Sequence, residues 1–273
     1  MSSALTSTSP LPEPRDPLLE AILKRDRSVT LAGLIVISAL SWGYMFYDAR
    51  QMNTSASCCL ALANPQMNPW PIADLVMMFV MWTVMMVAMM VPSVGPMVLV
   101  FAALNRKRRA EDRPYVPTGL FLLGYLAVWT GFSAIITLAQ WGLHRAALLS
   151  PQMVSTSPIF GGGLLIFAGI FQFTSFKCAC LKHCRTPLQF LMTSWRDGWG
   201  GAWKMGLEHG LQCTGCCWML MLLLFVAGVM NLLWVATITL FVLVEKVVPR
   251  SRWFTRAGGV ASIAWGVGLI IRR

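Results

Sequence analysis

The sequence predicts an all-α protein: a polytopic bundle of about seven transmembrane helices with a cytoplasmic N-terminus. Three observations carry this. Of 273 residues, 56% are apolar and only 12% charged, about half the charge of a soluble domain, so lipid must cover part of the surface. The apolar residues gather into runs near spanning length. The basic residues gather in alternate connections between those runs. A net charge of +11 therefore orients a membrane protein and does not mark a nucleic-acid binder. Of eight cysteines, most cluster near run ends on the basic side, which favours metal or redox chemistry over a secreted disulfide scaffold.

Residues 1–28 form a polar, Pro-rich tail, with a short surface helix expected from Leu18 to Lys24. A helical domain is expected over 29–271. Its apolar runs are Val29–Phe46, Ile72–Leu104, Gly119–Trp141, Ile159–Phe176, Met205–Val229, Leu232–Val248 and Ala257–Ile271. The first is longer than a signal-peptide core and no convincing cleavage site closes it, so it is expected to stay as an anchor. Pro92 and Pro96 are expected to kink or end the second. The seventh is short for a hydrocarbon core of about 30 Å and reads as tilted or re-entrant. With this order, 18 of the 22 Lys and Arg residues fall on the side of the N-terminus, which makes that side cytoplasmic. There is no internal repeat to support an inverted-repeat transporter.

The second run carries seven methionines between Met77 and Met90. On a helix, Asp74, Met78, Met81, Met85 and Met89 share a stripe about 80° wide, while Met86 and Met90 lie about 100° or more from Met85. Thioethers are soft, uncharged ligands suited to Cu(I), and they are cheap to hold in lipid. Packing alone also accounts for methionine in an apolar core. Asp74 on the same stripe shifts the weight somewhat towards a task, because a carboxylate at a membrane edge usually has a partner or a role.

The fifth run opens with Glu208-His209 and continues to Gln212-Cys213-Thr214-Gly215-Cys216-Cys217. His209, Cys213 and Cys216 lie within about 60° on a helix, flanked by Glu208 and Gln212 on one side and Cys217 on the other. The preceding loop holds Lys177-Cys178-Ala179-Cys180 and Lys182-His183-Cys184-Arg185. Its cations are expected to stabilise nearby thiolates. Both clusters fall at the cytoplasmic ends of neighbouring runs, so Cys180, Cys184, Cys213 and Cys216 can supply four ligands to one ion, Cu(I) or Zn(II). Cys58 and Cys59 are placed in the first outer loop near Met52 and Met67. His144, Trp70, Trp82, Trp129, Trp141 and Trp234 read as interface anchors or packing.

Three blocks together resemble a bacterial family of integral membrane proteins of unknown function that are predicted to bind metal. They are Met81-Trp82 with Ala88-Met89-Met90-Val91-Pro92; Lys177 with Cys180-Leu181-Lys182-His183-Cys184-Arg185-Thr186-Pro187; and Gly210 to Met221, continuing to Gly228-Val229-Met230-Asn231 and Glu245-Lys246. The family-like core spans about 74–246. The resemblance implies Cys180, Cys184, Cys213, Cys216 and Cys217 as ligands, with His209 beside them, and leaves Cys58, Cys59 and Cys178 outside the shared pattern.

The function expected from these readings is soft-metal binding, copper(I) before zinc, in a multi-pass protein of the bacterial inner membrane that takes part in copper transport or delivery. The expected partners are the bilayer, the metal ion, and a copper-dependent enzyme or chaperone; nucleic acid is excluded. An enzyme is the less favoured class. No ATP-binding motif is present, so transport would be passive, gradient-coupled or partner-driven. The alternatives are a membrane thiol-disulfide oxidoreductase using Cys213 and Cys216, disfavoured by a cytoplasmic position, and an assembly factor for a membrane metalloenzyme.

Overall fold

The computed structural model describes residues 17–59, 72–111, 116–145, 157–229, 231–248 and 252–272. Among them every regular element is a helix: α1 (Pro17–Cys59), α2 (Ile72–Ala110), α3 (Thr118–Arg145), α4 (Pro158–Phe171), α5 (Ser175–Arg185), α6 (Pro187–Ser194), α7 (Gly198–Leu222), α8 (Leu224–Ala227), α9 (Leu232–Val247) and α10 (Arg252–Ile271). Five helices, α1, α2, α3, α7 with α8, and α10, are long and apolar enough to cross a membrane, and six if the bent pair α4–α5 counts as one.

The seven expected runs all lie on helices, with altered ends. Run four does not continue through Phe176: α4 stops at Phe171 and α5 leaves at 64°. Thr174 starts the second helix by accepting the Lys177 N–H at 3.3 Å, as Ser157 starts the first by accepting from Phe160 at 3.3 Å. These caps satisfy backbone donors that a helix start leaves orphaned. The segment expected as a loop before run five is therefore helical, in α5 and α6. Run six falls on α9, which at 16 residues is short of a full crossing. Run seven gains the opposite way: α10 starts at Arg252 and reaches 20 residues, about 30 Å of helix. The helix expected over Leu18–Lys24 is the first part of a continuous α1, and the first described outer-loop residues, Cys58 and Cys59, are helical. Met67 and Trp70 lie outside the described residues.

Pro92 and Pro96 do not end α2, which runs unbroken through both. Proline removes the N–H that would bond the carbonyl four residues back. For Pro92 that carbonyl belongs to Ala88, and the indole N–H of Trp42 on α1 donates to it at 3.1 Å. The donor lost within the helix is replaced from a neighbour.

The bundle is held by pairs of closely packed helices. At the α3–α7 crossing, a side chain on Gly124 would strike the backbone of Trp203, and one on Gly206 the carbonyl of Phe121. At α4–α10, a Cβ on Gly162 would come within 2.7 Å of the Gly266 carbonyl, and one on Gly266 within 2.6 Å of the Gly162 carbonyl. Small residues at such crossings let backbones approach where lipid gives no hydrophobic drive. The core centres on α2, whose Met85, Met86, Met89 and Met90 are all buried, with Trp82, Trp129, Phe121 and Tyr125 around them. Trp82 and Trp129 are thus core residues, and Trp82 donates to Gln140 at 2.5 Å. Trp141 and Trp234 are less enclosed; Arg145 stacks over the former at 5.1 Å, and Trp265 packs against the latter.

Candidate metal centre

Cys213 sits on α7 fifteen residues after its first residue, Gly198, about 22 Å along the axis. It is deeper than a run starting at Met205 implies. α5 packs across α7 with Cys180 and Cys184 one turn apart. The Cys184 thiol neighbours those of Cys213 and Cys216. Cys180 Sγ stands 3.0 Å from the point a Cβ would occupy on Gly215, so the glycine between the α7 cysteines leaves room for it. The four thiols expected to converge do stand together, and Cys217 joins them one turn past Cys213.

They are neighbours without forming a cage. Among the described residues no three His, Cys, Asp or Glu side chains stand at metal-holding geometry. Cys216 and Cys217 both donate to the Cys213 carbonyl at 3.0 Å. The Cys213 sulfur is taken up by Lys246 Nζ at 2.9 Å and meets the Tyr125 hydroxyl at 3.1 Å. Lys246 also donates to Ser93 at 2.9 Å. Ligating a metal would need the Cys216 and Cys217 thiols to turn away from the Cys213 carbonyl. The donor set, several thiols with one thioether-rich helix beside them, has the softness that Cu(I) prefers.

The cations are arranged otherwise than expected. Lys177 is turned away from the thiols: its ammonium is fully buried against Glu245, at 2.8 and 2.9 Å from the two carboxylate oxygens, and also donates to Gln172. Arg185 donates through Nε to the Glu245 carbonyl at 2.7 Å. The cation at the thiols is Lys246, which the spacing of the cysteines does not reveal. Its only sequence signal is a Glu-Lys pair closing an otherwise apolar run. Ser93 and Tyr125 carry no sequence signal; both are ordinary residues whose role depends on which helices meet.

The remaining candidates are dispersed. His209 is buried among Phe121, Tyr125 and Phe190, with ring centroids 5.5–6.1 Å away, and its Nδ1 lacks a hydrogen-bond partner. Glu208 pairs with Arg196 at 2.8 Å, and Gln212 Oε1 is buried without a partner. Met78, Met81, Met85 and Met89 are buried on α2, but Asp74 is exposed at its start. Met86 and Met90, expected off the stripe, are buried as completely. The Met90 carbonyl accepts from Tyr125 at 3.4 Å and from Ser93 at 2.8 Å. Cys178 is exposed on the far side of α5, in a cavity of ≈ 430 Å³ that Lys182, Arg185 and Arg256 also line.

A family model described as copper chaperone, PpoB2, matches residues 79–269, which include every thiol of the cluster and Lys246. No curated protein and no solved structure compared with the chain matches it.

Proposed function

The chain belongs to the PpoB2 copper chaperone family, and from that premise we propose that it holds Cu(I) within the membrane on the α5–α7 thiols and passes it to a client protein. The observation that carries the reading is the meeting of Cys184, Cys213 and Cys216 from two helices beside the Lys246 ammonium. Two thiolates with one Cu(I) leave one negative charge, which is costly in a buried site unless it is paired. Lys246 is placed to balance it. Zn(II) on the same two thiolates would be neutral and would place its charge beside an ammonium without need of it. The domain is proposed to run over 29–271, with the inner membrane as its site and the N-terminus inside.

In this reading thiols lose protons as metal binds, Cys216 turns from the Cys213 carbonyl to the ion, and Cys180, Cys184 and Cys217 are the further donors. His209 lines the approach from the next turn. Met78, Met81, Met85 and Met89 of α2 supply weaker, exchangeable ligands along which a soft ion moves. A thiol-disulfide oxidoreductase is less well supported, because Cys213 and Cys216 are buried to within 1% and exchange needs access for an attacking thiol.

The test is metal analysis and Cu(I) competition titration on protein purified under reducing conditions. Cys184→Ser and Cys213→Ser should each remove most tightly bound copper, and the double variant should be no worse than the stronger single, since groups acting as a unit are not additive. Lys246→Met should keep the stoichiometry but weaken affinity by about tenfold or more, in line with the loss of an outer-shell partner. Full copper binding by Cys213→Ser would end the proposal.

A further inference from the structure

A second group of soft ligands lies at the other end of α9. Leu232 opens that helix and Lys246 lies fourteen residues on, about 21 Å along its axis. Beside Leu232 is a small cavity of ≈ 10 Å³, lined by Met45, Asp48 and Tyr44 of α1, Met81 and Met85 of α2, and Val229 and Leu232. Met45, Met81 and Met85 are buried. α1 was expected only to anchor the chain, yet its last apolar turns bring a thioether and a carboxylate onto the methionines of α2.

We propose that this cavity is a distinct Cu(I) acquisition site, with Met45, Met81 and Met85 as thioether ligands and Asp48 as the counter-charge. It rests on the reading of the thiol cluster as a copper site and adds where the ion is first taken. The chemistry selects the ion. Three thioethers are neutral and soft, so they hold Cu(I) or Ag(I). They offer nothing to Ca²⁺ or Mg²⁺, which need several oxygens. One carboxylate matches one positive charge, so a monovalent ion enters the bundle without leaving net charge in a place where charge is expensive. The cavity has room for about one water-sized body, which requires the ion to shed its hydration shell. The site also has an exit. Met85 and Ser93 are on one unbroken helix, about 12 Å apart, with the buried Met86, Met89 and Met90 between them, and Ser93 shares Lys246 with Cys213. A weaker thioether site feeding a stronger thiolate site gives a downhill direction without ATP. The distribution of basic residues puts the Asp48 end outermost.

The experiment uses the full chain in detergent, reduced, titrated with Cu(I) and separately with Ag(I) against a competing chelator. Wild type should bind one equivalent tightly and a second more weakly. A Cys184→Ser, Cys213→Ser, Cys216→Ser triple variant should keep the weaker equivalent. Met45→Leu should weaken it by at least about tenfold, because even outer-shell losses at metal sites reach that size, and Asp48→Asn should do the same. Met97→Leu, equally buried on α2 but outside the cavity, should change nothing. If the triple variant does not fold, Met45→Leu in the otherwise unaltered chain should lose one equivalent while the tight one stays. One equivalent only in wild type, unaffected by Met45→Leu, would overturn this proposal and leave the thiol site standing; a wild type that binds neither ion would remove both.

Discussion

Glu245→Gln should be among the most destabilising single changes in this chain that leaves its shape nearly unaltered. The carboxylate accepts from the Lys177 ammonium at 2.8 and 2.9 Å, and the two side chains are only 2% and 1% exposed. The amide keeps the volume but not the charge, so Lys177 retains Gln172 and an uncompensated positive charge in a buried site. Removing one partner of such a pair costs about 3–5 kcal/mol, while replacing both with well-packed neutral groups is often neutral. Lys177→Met with Glu245→Gln should therefore recover most of the loss. The coupling should far exceed the ~0.5 kcal/mol within which independent sites add. Reversible unfolding in mixed micelles, followed by tryptophan fluorescence or circular dichroism, reads all four corners of this cycle. The single change should also weaken Cu(I) binding, because Glu245 adjoins the lysine on Cys213. A cost for Glu245→Gln below about 1 kcal/mol, or a double variant equal to the sum of the singles, would refute the reasoning: the pair would then be wet, and its charges worth no more than a surface bridge.

Two further outcomes test how the bundle is held. Gly206→Ala should lower folded yield and melting temperature by an amount matching an overpacked core, about 1–3 kcal/mol, since its Cβ meets the Phe121 carbonyl; Gly163→Ala, with nothing within 4 Å, should be silent in the same melts. Trp42→Phe should cost about 1–3 kcal/mol by orphaning the Ala88 carbonyl, and much of that cost should vanish in a Pro92→Ala background, where the helix again has an N–H for it.

What the sequence makes legible here is what depends on local pattern. Apolar runs locate the helices, and helical spacing puts Cys180 with Cys184 and Cys213 with Cys216 on their faces. The order of runs then suffices to bring the four thiols together. The remainder depends on partners distant in the chain. Pro92 reads as a break until Trp42, 46 residues before Ala88, supplies the donor that the Ala88 carbonyl lacks. Lys177 reads as a thiolate partner until Glu245, 68 residues on, captures it. Met45 and Asp48 read as part of an anchor until α1 settles on α2. The ends of α7 and α10 were missed for a different reason. Both helices begin in segments of Trp, Gly and a basic residue, Lys204 in α7 and Arg252 with Arg256 in α10, whose hydropathy is too low to extend an apolar run.

The buried charges at the end of α9 make one device of these separate contacts. Neighbouring residues on a helix point about 100° apart, so Glu245 and Lys246 serve different helices from a single turn. Glu245 fixes α5, through Lys177 and through its own carbonyl to Arg185. Lys246 fixes α7 and α2, through Cys213 and Ser93. The spacing between the α5 and α7 thiols is therefore set by α9, which contributes no ligand of its own. Charge follows the same division. Lys177 is balanced by Glu245, but Lys246 has a hydroxyl and a sulfur as partners, neither of them a carboxylate. Its charge is balanced when Cys213 is a thiolate, and a cluster that holds one thiolate against an ammonium needs to release only one more proton to give a Cu(I) ion two thiolate ligands. The same ammonium then balances the product. In the proposed Cu(I) site, a lysine that looks misplaced beside a cationic metal would keep both the empty and the loaded forms free of unpaired buried charge.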